Sequence, residues 1–188
     1  MIKKVVGVAT ATLTAAAGVV ALGATSAQAQ ESEGKIIAKT GLTVRYAPST
    51  HAKAVDSVKR GEVFPLECKV TGTSVDGNNR WYLLPGDSHG GHEWIAARYV
   101  QNIGPAPGWC GTAERFVGKA ATAVSVRRGP TTADGRVRTL GKGAGVDLIC
   151  KLPSQNVNGN SLWYWTKDHN WVSARYIDNV GRAPNYCN

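Results

Sequence analysis

"LTVRYAPST", residues 42–50, and "VSVRRGPTT", residues 124–132, are one phrase written twice. Each opens with alternating apolar and polar residues, the period of a half-buried strand, and each is cut off by a loop-starting proline, Pro48 or Pro130. The correspondence runs on along the chain. Leu42 and Val124 lie 82 positions apart, as do Arg45 and Arg127, Cys68 and Cys150, Trp81 and Trp163, and Tyr82 and Tyr164. Past "WYLLPGDSHGGHEW" (81–94) and "WYWTKDHNW" (163–171) the offset is 77, pairing Trp94 with Trp171, Arg98 with Arg175, Tyr99 with Tyr176, Gly104 with Gly181 and Cys110 with Cys187. One loop is therefore five residues shorter in the second copy. This is a tandem duplication of a unit of about 75 residues, not a solenoid, which needs three or more units to bury a continuous core.

Within each unit the signals are those of strands. "EVFPLECKV" (62–70) and "GVDLICKL" (145–152) read as strands bearing the first cysteine. "VDGNNRWYLL" (75–84) and "VNGNSLWYW" (157–165) place Asp-Gly or Asn-Gly before an aromatic strand, the mark of a hairpin. "HEWIAARYV" (92–100) and "HNWVSARYI" (169–177) read as a short strand and a tight turn ending on tyrosine. About five short strands per unit predict an all-β fold of two small barrels. The expected boundaries are 35–110 and 119–188, with "GTAERFVG" (111–118) as a linker too short to let the units swing far apart.

Before the first unit, Lys3 and Lys4 precede an apolar run from Val5 to about Ala24, and Ala27-Gln28-Ala29 forms an A-x-A pattern. That order predicts a signal peptide over 1–29, cleaved near Ala29, with a short tail over 30–34 and an exported, secreted or wall-associated product. A membrane anchor is the competing reading of the run. Of 22 basic residues two lie in this leader, leaving 20 against 13 acidic ones, a net charge of +7. An exported cation meets anionic surfaces, and its compartment argues against nucleic acid as partner. Four cysteines in an exported chain imply disulfides, with three possible connectivities. The repeat favours Cys68 with Cys110 and Cys150 with Cys187, one bond per self-contained unit.

The repeated motifs carry a family likeness. "LTVRYAPST" and "VSVRRGPTT" resemble the opening motif of bacterial SH3-like domains. "RWYLL" and "LWYW" resemble that family's central Trp-Tyr strand, and "EWIAARYV" and "NWVSARYI" its closing Trp-Val…Arg-Tyr segment. Glu93 and Asn170 stand where the closing segment usually has glycine, and the cysteine pair is an addition. The resemblance implies SH3-like barrels that bind cell-wall peptidoglycan peptides; neither catalysis nor a cofactor is expected. An anionic wall polymer is a second candidate ligand. A secreted module that inhibits or modulates an extracellular enzyme is the alternative function.

No G-x-S-x-G elbow or H-E-x-x-H helix is present. "HGGH" (89–92) is a weak metal candidate without carboxylates beside it, and the recurrent His92 and His169 are either ligand contacts or turn residues. The aromatic residues are better candidates for binding. Trp94 and Trp171 are expected in the core. On the Trp-Tyr strands side chains alternate, so one of each pair is expected to face outward, with Trp81 and Trp163 lining a groove. Tyr46 is expected to overhang the first groove and Arg128 the second, while Tyr99 and Tyr176 close them from the far side.

Overall fold

A computed structural model describes residues 31–86 and 92–188. The expected signal peptide, its cleavage site and His89 of the "HGGH" segment lie outside the described residues. The chain is all-β, as the alternation predicts. The first copy contains β1 (Glu33–Ile36), β2 (Leu42–Arg45), β3 (Ala54–Val58), β4 (Val63–Pro65), β5 (Lys69–Val75), β6 (Asn78–Leu84), β7 (Glu93–Ala96) and β8 (Val100–Ile103). The second contains β9 (Phe116–Ala120), β10 (Val124–Arg127), β11 (Arg136–Leu140), β12 (Gly145–Val157), β13 (Asn160–Thr166), β14 (Trp171–Ser173) and β15 (Ile177–Val180). No helix of the described residues is long and apolar enough to cross a membrane.

The duplication in sequence is a duplication in topology. The second copy is one sheet of order β11-β10-β14-β13-β12-β9-β15. The first follows the same order, β3-β2-β7-β6-β5 and then β4-β1-β8, with β4 and β5 in the place of β12. The break falls directly after Pro65, which stands where the second copy has Asp147. The single strand expected over 62–70 is therefore two, and Cys68 sits between them. The expected linker is also shorter than 111–118, because Phe116, Val117 and Gly118 already pair with β12 and β15.

The local signals explain the turns. Asp76 and Gly77 have φ of 45° and 82°, and Asn158 and Gly159 have 48° and 87°, the left-handed pair that a two-residue hairpin requires. Gly34 and Gly118 occupy equivalent positions under a side chain of the paired strand. A Cβ on Gly34 would meet Val100 Cγ1 at 2.4 Å, and one on Gly118 would meet Ile177 Cγ2 at 2.3 Å. Cys68 bonds Cys110 and Cys150 bonds Cys187, so each copy ties its own tail to its own sheet.

Three apolar cores result. One belongs to the first copy, around Val44, Tyr82, Ile95 and Val100, and one to the second, around Val124, Tyr164, Val172 and Ile177. The third is shared: Val70, Trp81, Leu83 and Trp94 pack with Leu152, Trp163, Trp165 and Trp171, and both disulfides join them. This corrects the expectation for the Trp-Tyr strands. Side chains do alternate, but Tyr82 and Tyr164 face their own cores while Trp81 and Trp163 face the shared one, so neither member of either pair is solvent-exposed.

Polar groups at this junction are bonded across it. Trp171 Nε1 donates to the Thr71 carbonyl at 2.7 Å, and Trp165 Nε1 donates to Thr71 Oγ1 at 3.1 Å. Thr71 Oγ1 in turn donates to the His169 carbonyl at 2.5 Å. The buried Asp134 carboxylate accepts from Thr131 Oγ1 at 2.8 Å within its own copy, and from Ser49 Oγ at 3.2 Å and from Thr73 Oγ1 in the other. The equivalent position in the first copy is Ala52, so this clamp is built from one side only.

Candidate functional site

Two grooves are cut into the molecule at equivalent places. The first, about 640 Å³, is lined by Thr43, Arg45, Thr50, Val75, Trp81 and Tyr99 among others. The second, about 290 Å³, is lined by their counterparts Ser125, Arg127, Thr132, Val157, Trp163 and Tyr176. The paired strands bring these side chains together: the β2 and β10 residues form one wall, the tryptophans the floor, and the tyrosines at the end of each short 3-10 turn the far side. Each indole is fixed by the same bond, Trp81 Nε1 to the Thr73 carbonyl and Trp163 Nε1 to the Gln155 carbonyl, both at 2.9 Å.

The hairpin tips reach the tyrosines. Tyr99 O–H donates to the Asp76 carboxylate, whereas Tyr176 Oη accepts from Asn158 Nδ2 at 2.7 Å. The Tyr99 phenol is held above its ordinary range, first by the hydrogen bond to Asp76, then by that carboxylate's charge and by burial, with Arg98 opposing. Arg45 and Arg127, the arginines of the repeated phrase, act as loop clamps. Arg45 Nη1 donates to the Ala52 carbonyl and Arg127 Nη1 to the Asp134 carbonyl, each at 2.8 Å.

Of the residues singled out from sequence, Trp81 and Tyr99 meet in the first groove, and Trp163 and Tyr176 in the second. Tyr46 does not line the first groove. It borders a cavity of about 270 Å³ between the copies, with His51, Thr131 and Gln155. Arg128 does not line the second groove either; its N–H closes the loop onto the Gly135 carbonyl at 2.9 Å. The phrase turns after its arginine, so Arg45 and Arg127 reach the grooves and the residues following them do not.

The repeated histidines pack across the junction. His169 stacks on Trp165 (centroids 5.0 Å apart) and on Trp109 of the first copy (4.5 Å). His92 lies between Tyr46 (5.7 Å) and Tyr186 of the second copy (5.9 Å). Burial lowers both imidazole pKa values; for His169 the Asp168 charge opposes this and Arg80 adds to it. Sequence reading passed over Trp109 and Tyr186. Their signal was present, an aromatic residue directly before the second cysteine of each copy.

One constellation superficially resembles a hydrolytic triad. Ser49 Oγ donates to Asp134, and His51 Nδ1 lies 3.4 Å from the same carboxylate oxygen. Both side chains thus address the carboxylate, rather than serine addressing histidine, and Ser49 is completely buried, so it offers no attacking hydroxyl to a substrate. Among the described residues no three His, Cys, Asp or Glu side chains gather as metal ligands, and no cysteine is free.

No protein-family model matches the chain, and no curated protein does. Among solved structures it is similar to the endolysin LysPBC5 CBD, at 10% identity and a TM-score of 0.30, over 81% of this chain and 95% of that one. It is also similar to NlpC2 from Trichomonas vaginalis, at 12% identity and a TM-score of 0.28, over 80% of this chain and 48% of that one. Likenesses this remote carry no argument about function.

Proposed function

We propose that the protein is an exported, non-catalytic binding protein of the bacterial cell wall. It holds peptidoglycan peptides in two SH3-like grooves, and its positive charge adds attraction to anionic wall polymers. The observation that carries this reading is the recurrence of one groove, Arg, Thr, Val, Trp and Tyr in equivalent places, in both copies. A duplicated structural core needs only apolar residues inside; a duplicated open groove with matched aromatic and hydroxyl side chains is what a repeated ligand site requires. Two weak sites on one body gain avidity on a repeating polymer.

The test is retention of the protein on purified sacculi, with and without attached anionic polymers, at low and at high salt. Retention on bare sacculi at high salt, reduced by Tyr99→Ala with Tyr176→Ala, is the expected result. Retention only on polymer-bearing walls at low salt would reduce the reading to charge attraction. No retention would favour a protein partner.

A further inference from the structure

The two grooves serve as each other's control, and their differences are chemical. Among the described residues three cations, Lys39, Arg45 and Arg98, line the first groove, and no carboxylate does. Arg45 is engaged in its loop clamp, whereas Lys39 and Arg98 are exposed and form no ion pair among the described residues. Arg98 lies over the Tyr99 ring, its guanidinium carbon 5.8 Å from the centroid, which keeps that charge at the groove wall. Asp76 is bonded by the Tyr99 hydroxyl at the hairpin tip and does not line the groove.

The second groove has lost this feature. Between β9 and β10 the chain spans residues 121–123, where the first copy spans 37–41, and the shorter segment carries no lysine. Its one lining cation is Arg127, already used as a clamp, and Arg175, the counterpart of Arg98, does not line it. The longer segment of the first copy also adds Ile37 beside Leu42 and Val75, whose counterparts Val124 and Val157 line the second groove.

We propose that the first groove, read as a ligand site, takes a peptide by its C-terminal carboxylate, held between Lys39 and Arg98, with small apolar side chains laid on Ile37, Leu42 and Val75. Charge-assisted bonds from two exposed cations favour a carboxylate. A phosphate would satisfy the same cations, but a polyol phosphate has nothing to place on the apolar floor. The hydroxyls of Thr40, Thr43 and Thr50 offer partners to peptide amides instead.

The test is amide chemical-shift mapping of the protein with N-acetyl-tetraalanine and with its C-terminal amide. The acid is expected to shift Lys39, Leu42, Thr43 and Tyr99 and to bind about fivefold or more tightly than the amide. Lys39→Ala with Arg98→Ala, both at exposed positions, is expected to remove that preference and leave binding of the amide. The second groove is expected to show no preference. Equal affinity for acid and amide at the first groove would overturn the carboxylate inference and leave the groove reading standing. No shift at either groove with either peptide would overturn both. Displacement of the acid by an equal concentration of glycerol 3-phosphate would assign the cations to phosphate and overturn the peptide.

Discussion

Asp134 shows how much one side chain can decide. It is almost fully buried, and hydroxyls from both copies converge on it. Asp134→Ala leaves those donors without an acceptor, and the expected loss is about 2–4 kcal/mol, measured by urea unfolding. A loss within experimental error would mean that the clamp contributes nothing. The junction histidines make a second prediction at this scale. Their folded pKa values lie below the ordinary histidine value because burial penalises the charged ring. In the window just below the unfolded pKa the unfolded chain binds more protons, so stability is full above about pH 6.5 and falls as pH drops through that window. Glu67, whose pKa is raised by burial, acts in the opposite sense and at lower pH. His169→Phe is expected to flatten the fall between about pH 7 and 5.5. An unchanged slope would place the sensitivity elsewhere.

Elements are set by local residues where the chain must turn or cross. The Asp-Gly and Asn-Gly hairpins form where the sequence says they should, because their positive φ values exclude most other residues. After Pro65 the first copy divides a strand that stays whole in the second. The pairing of β1 with β8 depends on Gly34. Gly34→Ala places a methyl 2.4 Å from Val100 Cγ1, and the expected cost is about 1–3 kcal/mol, with a matching cost for Gly118→Ala against Ile177. Thermal unfolding of the two variants checks this; a neutral result for both would show that the strands can part without penalty.

The molecule as a whole is two copies of one strand order set around a third, shared core. Five tryptophans are fully buried, and four of them, Trp94, Trp163, Trp165 and Trp171, join Trp81 in that common cluster. Cutting the chain after Cys110 would uncover Val70, Trp81, Leu83 and Trp94 on one face. The separated first copy is expected to self-associate and to bind a hydrophobic dye, and the whole chain to unfold in a single transition. A monomeric, cooperatively folding fragment that binds no dye would show that the shared core is dispensable.

The sequence by itself determined the duplication, the all-β class, the hairpins and the disulfide pairing. All of these follow from local conformational preference or from matched spacing within a repeat. It also brought together Trp81 with Tyr99 and Trp163 with Tyr176, because equivalent positions fold equivalently. Only the tertiary structure decided where the other face of the Trp-Tyr strand goes. Alternation states that successive side chains point to opposite sides, but not what covers each side, and here the second copy covers what solvent was expected to. The same reason turns His92 and His169 into junction contacts. Each depends on how one copy is set against the other, which no pattern within a single copy encodes.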